Sequence, residues 1–354
     1  MRLRIEENNK DLMENVVFLV CVFCQTYNQK NFITDAMDGF VMQETEFPFV
    51  CTVIDDASTD GEQEVIRNYL KEQFDLQDSS VAYEKETHYG HVSFARHKTN
   101  KNCYFAVLFL KENHYSQHKT KVPYIQEWMN TKYVALCEGD DYWTDPLKLQ
   151  RQVGFLETHP DHSLCCHRYI IYNQNEGTWD DDYVKRLFEE SPNGFSFSNV
   201  DNLNRAWITK TVTLVYRNGL VDQSVLAKYQ YRCDEHLNYH LLRMGLGYCF
   251  PFIGAVYRRC DTGVFSTING NDRLKRWYRV RGELLKFNLV DKDLRDGVYR
   301  KLLKALSERQ TVGEEIKVMR IVVKSFRKTE GLGSAFIAWK RIIGLYLKGI
   351  IMKS

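Results

Sequence analysis

Residues 16–28 read VVFLVCVFCQTYN, and residues 49–61 read FVCTVIDDASTDG. Each stretch is a continuous apolar run, rich in β-branched residues, that stops at a polar turn. This pattern is typical of a strand buried on both faces of a parallel sheet. Helices are predicted at about 31–43 and 62–74. The resulting β-α-β-α alternation predicts an α/β fold with a doubly wound, mostly parallel sheet.

The composition limits the classes of protein to which the chain can belong. It has 354 residues, of which 44% are hydrophobic and 27% charged, so it can form a packed core and is not globally disordered. The 48 Lys+Arg and 46 Asp+Glu leave a formal net charge of +2, so we expect no nucleic-acid partner. Ten cysteines, with a polar start that lacks a secretory leader, predict reduced thiols in the cytoplasm.

The chain after the first two strands continues the alternation and then loses its strand signals. Residues 88–121 are predicted to be a polar loop that contains a helix at about 104–111. Strands follow further on, but the last 80 or so residues are predicted to contain helices only. We therefore expect a sheet-containing domain over 1–268 and a basic helical extension over 269–354.

Two pairs of acidic residues follow predicted strands. Asp55-Asp56 ends the second apolar run, and Asp140-Asp141 follows a strand predicted at 133–137. Ligands bind at the carboxyl ends of parallel strands, and carboxylates gathered there repel each other unless a cation lies between them. Oxygen ligands suit Mg²⁺ or Mn²⁺, which share their coordination with substrate phosphates. The alternatives are a helix N-cap for the first pair and a surface turn for the second.

The sequence resembles the family 2 inverting glycosyltransferases, which have the GT-A fold, and in particular bacterial-type enzymes that build cell-surface polysaccharides. The resemblance rests on Thr26-Tyr27-Asn28, on residues 55–61 (DDASTDG) and on residues 138–149 (EGDDYWTDPLKL), and it covers roughly 16–268. It implies transfer of a sugar from a UDP-sugar to a hydroxyl of a glycan or a lipid-linked saccharide. It also implies assistance by Mn²⁺ or Mg²⁺.

The same resemblance implies roles for individual residues. Asp141 would bind the metal ion on the diphosphate, and Asp234 would be the general base, with the adjacent Glu235 as the alternative. Lys98 is a second candidate for the basic donor contact assigned to Arg96, and Cys260 stands where close relatives often carry histidine. The residues implied in nucleotide and donor binding are Gln25, Tyr27, Asn28, Asp55, Asp56, Ser58, Arg96 and Asp140.

Two other functions remain open. A metal-dependent nucleotidyltransferase would need a basic triphosphate-binding loop near the N-terminus, where residues 25–30 offer only Lys30. A non-catalytic, membrane-bound scaffold would keep the fold without turnover. His236 and His240 are four apart on a predicted helix, but Leu237 stands where a zinc protease needs glutamate, so we expect packing roles for both.

The C-terminal segment combines apolar and basic residues. Residues 300–354 contain 13 Lys+Arg and four Asp+Glu, and residues 334–354 read SAFIAWKRIIGLYLKGIIMKS. Charges interrupt this segment too often for a spanning helix, which needs about 20 apolar residues. It fits an interfacial helix whose lysines meet anionic headgroups, which predicts a peripheral protein on the inner, cytoplasmic face of a membrane. A helix packed on the body of the protein is the alternative.

Overall fold

A computed structural model describes residues 16–204, 208–260 and 269–351, the last three of them by backbone only. Its strands are β1 (Val20–Thr26), β2 (Phe49–Asp55), β3 (Ala82–Glu86), β4 (Gly90–Arg96), β5 (Cys103–Leu110), β6 (Tyr133–Leu136), β7 (Tyr142–Trp143), β8 (His162–Asn173), β9 (Thr178–Asp181), β10 (Phe195–Phe197), β11 (Val215–Arg217) and β12 (Leu246–Arg259). Its α-helices are α1 (Ile33–Val41), α2 (Glu62–Gln73), α3 (Lys148–Thr158), α4 (Leu187–Glu190), α5 (Asn199–Asn204), α6 (Gln223–Leu226), α7 (Asp234–Leu241), α8 (Gly270–Phe287), α9 (Lys292–Ser307), α10 (Glu315–Glu330) and α11 (Leu332–Ile351).

The strands form one mixed sheet in the order β10-β12-β8-β11-β6-β1-β2-β5-β4-β3, in which β7 also pairs with β12 and β9 with β8. The central strands β6-β1-β2-β5 are parallel to one another, and so are β8 and β12. Antiparallel β3 and β4 extend the sheet beyond β5, and antiparallel β11 joins β6 to β8. The predicted α/β fold with a mostly parallel sheet and C-terminal helices is confirmed.

The core of the sheet anchors the segment that follows β6. Helix α1 buries Ile33, Met37 and Phe40, which are spaced at three and four residues and so lie on one face of the helix. The Phe40 ring packs edge-on against Trp143, with 4.9 Å between the ring centroids. The Trp143 indole N–H also donates a hydrogen bond of 2.9 Å to the carbonyl of Val212. Apolar packing and this hydrogen bond therefore fix the backbone directly after the predicted acidic motif.

The helix predicted at about 104–111 is wrong, because residues 103–110 (CYFAVLFL) form β5. All eight residues of this strand are buried. The strand pairs in parallel with β2 on one side and antiparallel with β4 on the other. A continuous apolar run has no periodicity that distinguishes a buried strand from a buried helix. Pairing with β2 and β4 therefore determines that these residues form a strand.

The chain divides into two compact units. The described residues of Met1–Ser196, Trp207–Leu220 and Met244–Arg259 form the first unit, which holds nearly all of the sheet. Those of Phe197–Ala206, Val221–Arg243 and Cys260–Ser354 form the second. The predicted domain boundary at 268 falls within 261–268, outside the described residues, and the division into 1–268 and 269–354 stays a prediction.

The second unit has an apolar core of its own. Helices α8 to α11 contribute fully buried side chains such as Leu284, Leu302 and Val322. Helix α7 joins this core through Tyr239, whose hydroxyl donates to Asp291 Oδ2 at 2.7 Å. Among the described residues, no helix is both long enough and apolar enough to cross a bilayer.

Candidate active site

Three loops meet at one edge of the sheet because they follow neighbouring parallel strands. Strand β1 lies between β2 and β6, with Thr26 beside Asp55 in one register and Phe23 beside Leu136 in the other. The loops that follow these strands contain residues 27–32, 56–61 and 137–141. Most of the predicted donor-site residues therefore share this edge.

Backbone hydrogen bonds join both acidic loops to the end of β1. The N–H of Asp56 donates to the carbonyl of Thr26, and the N–H of Gly139 donates to the carbonyl of Gln25, both at 3.0 Å. A Cβ atom on Gly139 would lie 2.5 Å from Thr26 Oγ1. Only glycine allows this close approach, so the two acidic loops are held next to each other across β1.

Glu62, the first residue of α2, is a fully buried carboxylate that ties the loops after β1 and β2 together. It accepts hydrogen bonds from the Thr26 hydroxyl, from the Gln29 N–H at 2.9 Å and from the Ser58 hydroxyl at 2.8 Å. Burial raises the pKa of Glu62, and the hydrogen bonds oppose the rise. The sequence had identified Glu62 only as the start of a helix, so this positioning role was missed.

The loop after β1 offers an exposed aromatic ring beside a constrained turn. Asn28 has a left-handed backbone with φ of 54°. Its Oδ1 accepts the N–H of Thr59 at 2.8 Å, and its own N–H donates to Ser58 Oγ at 2.9 Å. The neighbouring Tyr27 side chain remains 45% exposed. Its ring can therefore stack on a planar base, as aromatic residues do in nucleotide sites.

Asp55 ends β2 as a fully buried carboxylate with one oxygen in use. Its Oδ1 accepts from the Ser58 N–H at 3.2 Å and from the Gln63 side chain. Its Oδ2 is buried without a hydrogen-bond partner among the described residues. Burial raises the pKa of Asp55, and the hydrogen bonds from Ser58 and Gln63 act against the rise. Asp55 therefore holds its loop from inside, and its implied part in donor binding stays a prediction.

Asp56 is held by a buried lysine that the sequence did not identify. Lys121 Nζ lies 2.9 Å from Asp56 Oδ2 and 3.0 Å from Gln25 Oε1. The backbone N–H groups of His114 and Tyr115 donate to the two oxygens of Asp56, at 2.8 and 2.9 Å. Lys121 and the backbone of 114–115 thus connect the polar segment after β5 to the strand-end loops. The only sequence signal for Lys121 was its place in that polar segment.

The structure does not bring Arg96 or Lys98 to this edge, which corrects their proposed donor contact. Arg96 ends β4 opposite Tyr104, and Tyr104 lies beside Val50 near the start of β2. That position is at the other end of the sheet from Asp55, and Arg96 lies 3.7 Å from Asp75 instead. The Lys98 ammonium donates to backbone carbonyls at the end of α2. The direction of β4, which the sequence did not reveal, explains the error.

A compact carboxylate cluster follows β6. Glu138, Asp140 and Asp141 each offer an oxygen, and these oxygens lie within 4.8 Å of one another. Asp141 is almost completely buried, and its Oδ1 accepts the N–H of Arg258 at 2.8 Å. Its Oδ2 is buried with no hydrogen-bond partner among the described residues. Burial, together with the negative charges of Asp140 and Glu138, raises the pKa of Asp141 well above its usual value.

These features fit a hard divalent cation. Three carboxylates supply the oxygen donors that Mg²⁺ and Mn²⁺ prefer, and the partnerless buried oxygen of Asp141 is the kind of group that such an ion satisfies. The sequence had assigned the metal to Asp141 and the donor to Asp140, and the structure adds Glu138. No other group of this kind occurs in the described part of the chain.

Two cationic side chains lie near this cluster in the first unit. Burial raises the pKa of Asp140, while the charges of Arg258 and Lys210 oppose that rise. Lys210 Nζ lies 3.2 Å from the centroid of the Tyr257 ring. The Arg258 guanidinium pairs with Asp35 at 2.6 Å. Positive charge beside a carboxylate cluster suits a bound diphosphate, and no sequence motif indicated either residue.

Asp234 and Glu235 begin α7 in the second unit. Glu235 forms a two-point ion pair with Arg281, at 3.0 and 3.3 Å. This ion pair fixes the position of the Glu235 carboxylate. The assignment of Asp234 remains a prediction.

His236 and His240 make the contacts expected of packing residues. His236 Nδ1 accepts the N–H of Cys233 at 3.3 Å, and its ring lies 4.0 Å from that of Tyr229. Burial lowers the pKa of His236 to about 4. His240 Nε2 forms a hydrogen bond of 2.8 Å with the Tyr229 hydroxyl. Both rings therefore pack around the same residue, Tyr229.

Sequence comparison finds relatives that are longer than the stretch they share with this chain. The chain is 30% identical over 254 residues to the uncharacterized proteins Rv1520 of Mycobacterium tuberculosis and Mb1547 of Mycobacterium bovis. The match covers 71% of the chain but only 62% of each relative. No protein-family model matches the chain.

Structure comparison gives a match over most of the chain. The crystal structure of S. aureus TarS 1–349 in complex with UDP-GlcNAc matches with a TM-score of 0.55 and 13% identity, over 92% of this chain and 89% of that one. The same TarS segment in complex with UDP matches with a TM-score of 0.50. At 13% sequence identity, this structural similarity establishes the fold alone. The chain therefore has the GT-A-like fold that its sequence predicted.

Proposed function

We propose that the protein is an inverting glycosyltransferase that uses a UDP-sugar. The observation that carries the proposal is the buried oxygen of Asp141 that has no hydrogen-bond partner among the described residues. It lies beside Glu138 and Asp140, at the edge of the sheet where the loops of Tyr27 and Asp56 also lie. The TarS structures with UDP-GlcNAc and with UDP support the choice of nucleotide.

The loops after β1 and β2 would bind the nucleoside. Tyr27 would stack on the base, and Asn28 and Ser58 would hold the loop in its turn. Asp56 would face the uracil or ribose from a position fixed by Lys121. Each carboxylate oxygen can accept more than one hydrogen bond, so the existing contacts of Asp56 leave acceptor capacity for the ligand.

Asp141, with Asp140 and Glu138, would hold Mn²⁺ or Mg²⁺. When bound, the ion would supply stabilisation of the negative charge that develops on the departing diphosphate. Lys210 and Arg258 would add positive charge at the same place. Asp140 would also lie beside the donor ribose or sugar.

Asp234 would accept the proton of the attacking hydroxyl. The acceptor oxygen forms a bond to the anomeric carbon of the sugar as the bond from that carbon to the diphosphate oxygen breaks. The proton moves to the Asp234 carboxylate, and UDP leaves. Attack from the side opposite the leaving group inverts the anomeric centre.

We propose a glycan or lipid-linked saccharide as the acceptor and the cytoplasmic face of a membrane as the location. All ten cysteines lie in the described part of the chain, and all are free thiols, which supports a reducing compartment. The basic residues of the C-terminal helices support the proposed location at a membrane surface. The chain spans only 62% of the length of the relatives it matches. Its acceptor and its role in building cell-surface polysaccharides are therefore part of this proposal.

Turnover of a panel of UDP-sugars tests the proposal. With Mn²⁺ present, wild type should release UDP and give a product of inverted configuration. Asp234→Asn should lower kcat by about 10²–10⁴-fold, as expected for loss of a general base, without changing UDP affinity. Glu235→Gln is the matched control and should retain most of the turnover.

The alternatives predict different products. Release of pyrophosphate from a nucleoside triphosphate would indicate a nucleotidyltransferase. A failure to bind UDP at all would favour a non-catalytic scaffold. A product with retained configuration would contradict the inverting mechanism.

A further inference from the structure

One face of the second unit is apolar and basic at the same time. On α11, Leu332, Phe336, Trp339 and Leu347 are exposed, with Phe336 at 61%. Spacings of three, four and eight residues place them on one side of the helix. Trp339 and Phe336 stack, with 5.9 Å between their ring centroids. Large apolar side chains exposed together mark an interaction surface, whereas single ones do not.

Basic side chains border this apolar stripe. Helix α11 contains no acidic residue, and its three basic residues are all exposed: Lys340, Arg341 and Lys348. Helix α10 contains five basic residues, all of them exposed: Lys317, Arg320, Lys324, Arg327 and Lys328. The two acidic residues of α10 are used inside the unit, because Glu315 caps the backbone at 312–313 and Glu330 pairs with Arg295. The face is therefore strongly cationic.

None of these eight basic side chains forms an ion pair or a side-chain hydrogen bond within the part of the chain that the structure describes. Their charges are therefore available to an external partner. Elsewhere in the same unit Arg279, Arg281 and Arg295 are all paired with carboxylates. These three arginines are therefore neutralised within the unit, whereas the eight exposed basic side chains of α10 and α11 are not.

A groove joins the two helices of this face. Four apolar residues and three basic ones line it together: Ile316, Met319, Val323, Trp339, Arg320, Lys324 and Arg327. Apolar and cationic groups thus stand side by side, as they do in helices that lie in the interface of a membrane. An anionic headgroup can meet the basic side chains while the aromatic and aliphatic groups enter the acyl boundary.

We propose that the face formed by α10 and α11 docks on an anionic phospholipid bilayer. Charge favours this occupant over a second copy of the chain. In a two-fold dimer the same patch meets itself, so the basic stripe of α10 would oppose its own copy. The proposal deepens the membrane location of the proposed function and rests on none of the donor-site assignments.

Flotation of the full chain with vesicles tests the proposal. The protein should float with vesicles of phosphatidylcholine and phosphatidylglycerol, and not with phosphatidylcholine alone. Raised salt should weaken the binding. The variant Arg320→Glu/Lys324→Glu should bind the anionic vesicles roughly tenfold more weakly or worse. The control Lys71→Glu/Lys85→Glu reverses two exposed lysines of the first unit and should bind as wild type does.

The apolar part of the face needs its own variant. Phe336→Ser/Ile337→Ser removes one side chain of the apolar stripe and the adjacent Ile337, which is also exposed. Folding should be unaffected, and vesicle binding should fall even at low salt. Binding of UDP by all of these variants should equal that of wild type, which separates this proposal from the donor site. Equal flotation of the Arg320→Glu/Lys324→Glu variant and its control would overturn the proposal. A wild-type dimer that the Phe336→Ser/Ile337→Ser variant dissociates, without any vesicle binding, would also overturn it.

Discussion

Lys121 Nζ lies 2.9 Å from Oδ2 of Asp56, and the two side chains are 8% and 2% exposed. The two residues are 65 positions apart in the sequence, with α2 and the strands β3, β4 and β5 between them. This buried pair fixes the polar segment after β5 against the loop after β2. The carboxylate that the resemblance assigns to the nucleoside is therefore held by a residue outside every recognised motif.

Removal of the Lys121 ammonium should destabilise the protein. Lys121→Met leaves Asp56 buried with its backbone hydrogen bonds but without its counter-charge, which costs about 3 kcal/mol in the free energy of unfolding. Urea unfolding measures this change. The control is Lys119→Met on the same segment, whose ion pair with Glu112 is exposed and contributes little to stability. Equal effects of the two variants would contradict the role of the buried pair.

Substitution of Gly139 should displace the acidic loop. In Gly139→Ala the new Cβ would meet Thr26 Oγ1 at 2.5 Å and Gln29 Oε1 at 2.6 Å. We expect a loss of about 1–3 kcal/mol in stability from overpacking, together with weaker UDP binding. Thermal melts and calorimetry measure the two effects.

Gly154→Ala is the matched control for that variant. Gly154 lies within α3, and apart from its chain neighbours and the nearby backbone of the helix itself no atom stands within 4 Å of the position a Cβ would take. Alanine should stabilise this helix by roughly 0.5–1 kcal/mol. A Gly139→Ala protein as stable as wild type, with unchanged UDP affinity, would contradict the tight loop contact.

Lys148 should make the stability of the folded protein depend on pH in the range above pH 7. Its side chain is fully buried, with Nζ 2.8 Å from Gln152 Oε1 and 4.0 Å from the centroid of the Trp143 ring. Burial lowers its pKa to about 7. Between pH 7 and the usual lysine pKa of about 10.4, the unfolded chain binds the proton and the folded chain does not, so this group's contribution to stability rises with pH.

Lys148→Met removes that dependence. The stability of wild type relative to the variant should rise by up to about 1.4 kcal/mol per pH unit above pH 7. Below pH 7 the difference should stay constant, because the lysine is charged in both states. Urea unfolding at several pH values measures it, with Lys71→Met as an exposed control. A difference that does not change with pH would show that Lys148 has an ordinary pKa.

The sequence predicted the elements whose pattern is local. The apolar runs before Thr26 and Asp55 became β1 and β2, and the run before Glu138 became β6. Because parallel strands end at a shared edge, the convergence of the loops after β1 and β2 followed from the alternation alone. Asp141 was assigned to the metal, and its buried, partnerless oxygen fits that assignment.

The errors and omissions concern pairings between distant parts of the chain. Residues 103–110 are apolar throughout, and only their position between β2 and β4 makes them a strand. Arg96 was chosen for its charge, but its end of β4 lies at the opposite edge of the sheet. Lys121 and Glu62 acquire their roles from contacts with residues 65 and 36 positions away. No local pattern reports such contacts.

The central claim is that the cluster around Asp141 binds a divalent ion that holds a nucleoside diphosphate. Calorimetric titration of UDP, with Mn²⁺ and then with EDTA, tests it most directly. Wild type should bind UDP more tightly with Mn²⁺, and Asp141→Asn should lose roughly tenfold or more of that metal-dependent affinity, while the exposed control Asp161→Asn should not. Metal-dependent UDP binding that is unchanged in Asp141→Asn would contradict the account.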